Sequence, residues 1–156
     1  MLCFAVDPGP TVSGAVIYDI WQERVILGGV YSNADLLGMI GCSDADVFCL
    51  EMFEARGMPL GNASIETIFW AGRFRQAWPN DAHLIKRRDV KLHLCGSARA
   101  KDANVNAVVW DRFSAGQGMR AAKGTKKAPG PLYGIKSHAL AALAVGLYYQ
   151  DCIYES

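Results

Sequence analysis

Short apolar runs separated by polar turns mark five strands along the chain. Runs of β-branched and other apolar residues, bounded by glycine, proline or polar residues, are typical of buried strands. The first three runs follow one another closely, which predicts a three-stranded meander at the start of the fold. The predicted strands are Leu2–Val6, Gly14–Tyr18, Arg24–Val30, Val47–Phe53 and Ala82–Ile85.

Apolar residues at helical spacing predict helices between and after these strands. The predicted helices are Ala34–Ile40 with Asn33 as cap, a helix from Asn62 or Ser64 to Trp78, Ala98–Phe113 with Ser97 as cap, and Ile135–Tyr149. The order βββαβαβαα predicts an α/β fold, a mixed five-stranded sheet with helices on both faces. We interpret residues 1–156 as a single domain. The stretch 114–132 is rich in glycine, lysine and proline, which predicts a mobile basic loop.

The composition indicates a globular protein of the cytoplasm. Of 156 residues, 51% are hydrophobic and 20% are charged. The longest apolar stretch, Ala139 to Tyr149, has 11 residues, which is too short to span a bilayer. The first six residues lack the basic start of a signal peptide. The five cysteines form no Cys-x-x-Cys pair, so we expect reduced thiols, a cytoplasmic location and no membrane.

The net charge of +1 conceals a strong asymmetry along the chain. Residues 1–85 carry 4 basic and 10 acidic side chains, whereas residues 86–136 carry 12 basic and 3 acidic ones. A cationic block beside an acidic first half suggests a polyanionic partner held near a group of carboxylates. A solvated basic surface without a partner is the alternative.

Two carboxylates end predicted strands and are the strongest candidates for chemistry. Asp7 follows the first apolar run, a position where mixed α/β sheets place active-site groups, although Asp-Pro-Gly is also ordinary turn chemistry. Glu51 interrupts a later apolar run, where a buried carboxylate needs an arginine or a metal ion as compensation. Hard oxygen ligands without a cysteine or histidine cluster favour Mg²⁺ or Mn²⁺.

His138 opens the closing apolar helix, where a purely structural histidine is the alternative interpretation. Taken together, four segments of the chain resemble RuvC-type Holliday-junction resolvases, and most closely their small bacteriophage members. The segments are Val-Asp-Pro-Gly at the start, Leu-Glu-Met-Phe around Glu51, Val-Lys-Leu-His-Leu-Cys-Gly-Ser-Ala-Arg-Ala-Lys-Asp over residues 90–102, and His-Ala-Leu-Ala-Ala-Leu-Ala-Val from His138. The resemblance covers nearly the whole chain in the same order.

The resemblance implies an RNase H-like fold and a homodimer that hydrolyses phosphodiesters of branched DNA, such as four-way junctions, with two divalent metal ions per active site. Carried over to this chain, Asp7, Glu51 and His138 are the expected metal ligands and catalytic residues. Many family members have an aspartate one turn after the histidine, but this chain has Ala141. Asp102 is a possible substitute, with stabilisation of a helix start as its alternative role. For a phage-encoded chain, the expected location is the host cytoplasm.

Basic residues complete the predicted site. We expect Lys91 and Lys101 to contact the scissile or neighbouring phosphates as catalytic residues, and exposed lysines without such a role are the alternative. We expect further cations to contact the phosphates along the DNA backbone. These are Arg87, Arg88, Lys123, Lys126 and Lys127. We further expect Phe69, Trp70 and Phe74 to form the dimer interface. Two other functions stay open: a junction-binding protein with weakened catalysis, suggested by Ala141, and a nuclease of the same fold that acts on RNA–DNA hybrids.

Overall fold

All five predicted strands form, and they pair into one mixed sheet. The computed structural model describes residues 1–156. The strand order is β3-β2-β1-β4-β5. Strand β2 pairs antiparallel with β1 and with β3, whereas β4 pairs parallel with β1 and with β5. The strands are β1 (Leu2–Asp7), β2 (Val12–Asp19), β3 (Arg24–Ser32), β4 (Val47–Met52) and β5 (Ala82–Lys86).

Six helices and a π-helical turn cover this sheet. They are α1 (Asn33–Gly41), α2 (Asn62–Ala77), α3 (Arg87–Cys95), α4 (Asp102–Phe113), α5 (Met119–Lys123), α6 (His138–Tyr149) and the π-helical turn Gln150–Tyr154. The prediction of an α/β fold with a mixed five-stranded sheet and helices on both faces is therefore confirmed. None of the helices combines the length and the apolar character needed to cross a membrane.

Alternating side chains along β1 show which helices cover which face. Cys3 and Ala5 belong to a buried cluster that includes most of α6 and parts of α4. Phe4 and Val6 point the other way, into a cluster with residues of α1 and α2 such as Phe74. Side chains of a strand alternate between faces, so both faces of β1 are buried and its sequence is apolar throughout.

The structure corrects several predicted helix boundaries. The stretch Arg87–Cys95 forms α3, which the sequence analysis missed, and α4 begins at Asp102 rather than at Ala98. Helix α6 begins at His138 rather than at Ile135, and the cap of α1 is Ser32, whose hydroxyl accepts a hydrogen bond from the Asp35 backbone.

The basic stretch 114–132 contains local structure. It holds α5 and a β-bridge between Gly124 and Pro129, and it is anchored by the buried side chains of Ala122 and Leu132. These two residues fasten the middle and the C-terminal end of the stretch to the cluster around α6. The mobility of this stretch stays a prediction.

Candidate active site

The ends of the three parallel strands bring charged side chains to one face of the sheet. Ala5 lies opposite Cys49, and both pack on the α6 face. A step of two residues keeps a side chain on the same face, so Asp7 and Glu51 follow on that face at the strand ends. The same step from the buried Ile85 of β5 leads to Arg87, the first residue of α3.

His138 reaches this strand end because α6 starts very close to β2. Gly14 lies opposite Asp7 in the sheet, and a Cβ atom at Gly14 would lie 2.0 Å from the His138 carbonyl oxygen. Only glycine leaves room for this approach of the helix backbone. His138 Nδ1 lies 2.9 Å from Asp7 Oδ2 as a result. With the proton on Nδ1, the ring keeps Nε2 free as an acceptor or metal ligand.

Arg87 lies at the centre of the resulting cleft, which has a volume of about 460 Å³. Its Nη1 donates to both carboxylate oxygens of Glu51, at 2.9 and 3.0 Å. Its Nη2 lies 2.8 Å from Asp102 Oδ1, and Nη1 lies 4.0 Å from Asp7 Oδ1. One guanidinium therefore faces three carboxylates.

Lys91 and Asp102 also line the cleft, with the side chain of Lys91 only 14% exposed and that of Asp102 65% exposed. Lys91 lies one turn after Arg87 on α3, and its Nζ is 3.2 Å from Asp102 Oδ1. Asp102 is the first residue of α4, where a carboxylate also stabilises the positive helix end. Both roles considered for Asp102, a helix-start residue and a carboxylate of the site, are compatible with this position.

Burial separates the acid strengths of the three carboxyl groups. Burial raises the pKa of Asp7 above its usual range, although His138 and Arg87 act in the opposite direction. Burial and then the nearby Asp7 charge raise the pKa of Glu51 to about 7. Burial also acts on Asp102, but hydrogen bonds from Arg87 and Lys91 outweigh it, so the pKa of Asp102 lies below its usual range. The neighbouring positive groups therefore do not offset the effect of burial on the charged forms of Asp7 and Glu51.

The donors of the cleft suit a hard divalent cation. Two carboxylates that are 8% and 12% exposed, with an imidazole beside them, are ligands that Mg²⁺ or Mn²⁺ accepts. In the present arrangement no three acidic, histidine or cysteine side chains are grouped closely enough to hold a metal ion. Arg87 stands among these carboxylates instead. The residues fit a metal ion provided that it shares Glu51 with Arg87 or displaces Arg87.

The structure brings together some of the predicted site residues and separates others. Asp7, Glu51, His138 and Lys91 line the cleft, whereas Lys101 is exposed just before α4 and lies outside the cleft lining. Arg87, expected to contact the DNA backbone, lies in the cleft and pairs with Glu51, and its contact with DNA stays a prediction. The other predicted DNA contacts lie outside the cleft, namely Arg88, Lys123, Lys126 and Lys127.

The structure differs from the prediction for one aromatic residue of α2, and it adds two residues to the cleft that were not predicted. Phe74 is fully buried in the core and is not available for a dimer interface, whereas Phe69 is 59% exposed. Ser137 and Asn106 also line the cleft and were not identified beforehand. A signal for Arg87 was present, because the step from Ile85 to Arg87 repeats the steps that lead to Asp7 and Glu51.

Comparisons with known proteins connect this arrangement to a known fold. Neither a scan against protein-family models nor a search of curated proteins finds a match. Among solved structures, a Thermus thermophilus RuvC structure is similar, with 21% identity and a TM-score of 0.63 over 96% of this chain and 93% of that chain. T. thermophilus RuvC in complex with Holliday junction substrate is also similar, with 21% identity and a TM-score of 0.62 over 99% of this chain and 94% of that chain. The chain therefore has the RNase H-like fold of these RuvC structures.

Proposed function

We propose that this protein is a divalent-metal-dependent endonuclease that hydrolyses phosphodiesters in branched DNA. The observation that carries the proposal is a pair of carboxylates, the buried Asp7 and the largely buried Glu51, at neighbouring strand ends in one cleft with His138. The similarity to a RuvC structure in complex with Holliday junction substrate supports a four-way junction as the substrate class.

Asp7, Glu51 and His138 are the residues that would hold a divalent metal ion. When bound, such an ion supplies charge neutralisation and activation of a water molecule for phosphodiester hydrolysis. In the chain without an ion, Asp7 accepts a hydrogen bond from His138 when Nδ1 carries the proton, which holds the imidazole beside the carboxylate. Lys91, in the cleft lining, is placed to contact a phosphate of the substrate, and the exposed Lys101 is placed to contact one near the start of α4.

The basic side chains outside the cleft are the proposed contacts to the DNA backbone. Arg88, Lys126 and Lys127 are exposed, and Lys123 lies over the Trp110 ring at 5.0 Å from its centre. Arginine and lysine contacts to phosphates position DNA without reading its sequence. The proposal therefore predicts structure-specific rather than strongly sequence-specific binding from this surface.

We also propose a homodimer formed through α2. Ile65, Ile68 and Phe69 are 52%, 41% and 59% exposed on this helix, and an apolar groove of about 450 Å³ runs beside it. Two active sites related by a two-fold axis match the approximate symmetry of a four-way junction. Light scattering of the wild type is expected to give twice the chain mass of 17.0 kDa, and Phe69→Glu is expected to give monomers. A wild-type monomer with junction bound would overturn the dimer.

A second candidate function is junction binding with weak cleavage or none. Two observations favour it: Ala141 adds no carboxylate to the cleft lining, and Arg87 already occupies both oxygens of Glu51. Under this alternative, the cleft recognises a phosphate through Arg87 and Lys91 without hydrolysing the ester.

A cleavage assay with three substrates tests the proposal. A four-way junction, a linear duplex of the same sequence and an RNA–DNA hybrid are incubated with the protein, with Mn²⁺, with Mg²⁺ and with a chelator. We expect metal-dependent cleavage of the junction only. Binding of the junction without cleavage in either metal supports the second candidate, and preferential cleavage of the hybrid overturns the branched-DNA substrate.

A further inference from the structure

We propose that Arg87 is a built-in cation that takes the place of a second metal ion, so that the cleft binds one divalent ion per chain. This inference rests on the proposed function. It departs from the two ions per site that the family resemblance implies.

The Arg87 guanidinium lies between two carboxylates. Its two terminal nitrogens bridge Glu51 on one side and Asp102 on the other, at 2.8 to 3.0 Å. Nη1 donates to both oxygens of Glu51 and Nη2 donates to Asp102, so charge-assisted hydrogen bonds hold the guanidinium between the two carboxylates. The space between Glu51 and Asp102 is thereby filled by a positive group of the chain itself.

Asp102 and the fold hold Arg87 in this position. Arg87 begins α3 directly after β5, so its backbone is fixed at the edge of the sheet. Asp102 receives Arg87 and Lys91 together, and it approaches from a different helix, α4. Asp7 lies farther from Arg87, at 4.0 Å, and beside His138, so this pair is open to one ion, which would share Glu51 with the guanidinium.

The charge of the cleft also favours a single divalent ion. With Asp7, Glu51 and Asp102 all ionised, as in an ion-bound cleft, and His138 neutral, the cations Arg87 and Lys91 leave an excess of one negative charge. One divalent ion reverses this excess, and a second ion would add its charge to a site that is already positive. One turn after His138, where a further carboxylate would face the cleft, the chain has Ala141. The cleft therefore lacks the negative charge to hold two divalent ions close together.

Counting bound Mn²⁺ tests the inference without any cleavage. Mn²⁺ is titrated into the purified chain, and bound ions are counted from the loss of the free-ion EPR signal. We expect one Mn²⁺ per wild-type chain. The double variant Arg87→Gln/Ala141→Asp is expected to bind two, with the first bound at least tenfold more tightly than by the wild type. Arg75→Gln removes a charge from α2 outside the cleft and is expected to match the wild type.

Each outcome decides the matter. Two Mn²⁺ per wild-type chain, together with junction cleavage, overturn the built-in cation and leave the proposed function standing. A well-folded double variant that binds a single Mn²⁺ also overturns it. A wild type that neither binds Mn²⁺ nor cleaves the junction overturns both. If the double variant does not fold, as judged by circular dichroism, the wild-type count still decides.

Discussion

Two arginine-centred clusters at opposite ends of α6 use the same residue types in different surroundings. In the cleft, Arg87 bridges Glu51 and Asp102. At the far end, Arg112 donates to both oxygens of Asp151, at 2.8 and 2.9 Å, and lies 3.3 Å from Glu23. A histidine adjoins a carboxylate in each cluster: His138 at Asp7 and His93 at Asp151.

The two clusters differ in whether the carboxylates receive enough positive charge. Burial raises the pKa of Glu51 to about 7, and the Asp7 charge adds to the effect. At the far end, burial is outweighed by hydrogen bonds from Arg112 and His93, which hold the pKa of Asp151 below its usual range. A satisfied cluster ties the chain terminus to the sheet. An unsatisfied one is poised to accept a cation, which is typical of functional sites.

The largest expected effect separates the clusters by activity. Asp7→Asn or Glu51→Gln removes a proposed metal ligand, and junction cleavage is expected to fall by at least about a hundredfold, because even residues behind the ligands typically cost tenfold to a hundredfold. Asp151→Asn at the far end is expected to retain cleavage. Single-turnover cleavage in Mn²⁺ measures both, with junction affinity as the control for binding. Near wild-type cleavage by Glu51→Gln would place the active site elsewhere.

A second test compares Gly14 of β2, which faces the start of α6, with Gly146, which lies near the end of α6. Gly14→Ala forces a Cβ atom into the His138 backbone, and we expect a loss of at least about 3 kcal/mol of stability or a displaced helix start. Gly146→Ala places its Cβ at ordinary contact distance, 3.6 Å from Ala5 Cβ, and is expected to be tolerated. Urea unfolding of both variants checks the difference. Equal stabilities would refute the close approach of α6 to β2.

The third test is the pH dependence of stability without metal. The folded chain keeps Glu51 protonated up to about pH 7, whereas its ordinary pKa is 4.5, so the folded state binds more protons between these values. Its contribution therefore falls as pH rises through this window, by about 3 kcal/mol at most. Asp151 behaves oppositely, since its stabilisation is present above pH 4 and is lost at lower pH.

Urea unfolding from pH 3 to pH 8 measures both trends. Glu51→Gln is expected to flatten the decline between pH 4.5 and pH 7, and Asp151→Asn is expected to flatten only the loss at acidic pH. A wild-type stability that rises across the neutral window, with no change in Glu51→Gln, would contradict the raised pKa of Glu51.

The smallest effect concerns Arg112 alone. Arg112→Gln leaves the partly buried Asp151 without its bidentate partner, and we expect a loss of about 1–2 kcal/mol, between the values for exposed and buried ion pairs. Arg75→Gln, whose partner Asp81 is fully exposed at 3.8 Å, is expected to change stability by less than about 0.5 kcal/mol. Thermal unfolding compares the two, and a loss from Arg75→Gln as large as that from Arg112→Gln would contradict this ranking.

Much of the sheet was predictable because its central strands, β1, β2 and β4, are largely buried on both faces. A strand such as β1 then has a continuous apolar sequence that ends sharply at a charged residue, Asp7. Helix α3 was missed because only Val90 in it is fully buried, so its apolar periodicity is weak. Gly96, which ends α3 in the left-handed conformation at φ 72°, was an available sequence signal.

The site was less predictable than the sheet, because its contacts join distant parts of the chain. The candidates Asp7, Glu51 and His138 could be proposed singly from their positions in apolar segments. The pairing of Arg87 with Glu51 depends on the register between β4 and β5, in which Glu51 lies opposite Ile85. The step from Ile85 to Arg87 indicates the face on which Arg87 lies but not the carboxylate that it meets, so Arg87 was assigned only to the DNA backbone.

We expect the cleft to bind a divalent cation and the far cluster to bind none. Thermal unfolding with and without saturating Mn²⁺ tests it most directly, since a ligand at a hundred times its Kd stabilises the folded state by about 2.7 kcal/mol. We expect Mn²⁺ to raise the melting temperature of the wild type and of Asp151→Asn equally, and to leave that of Glu51→Gln nearly unchanged. Equal stabilisation of all three proteins, or of none, would contradict the claim.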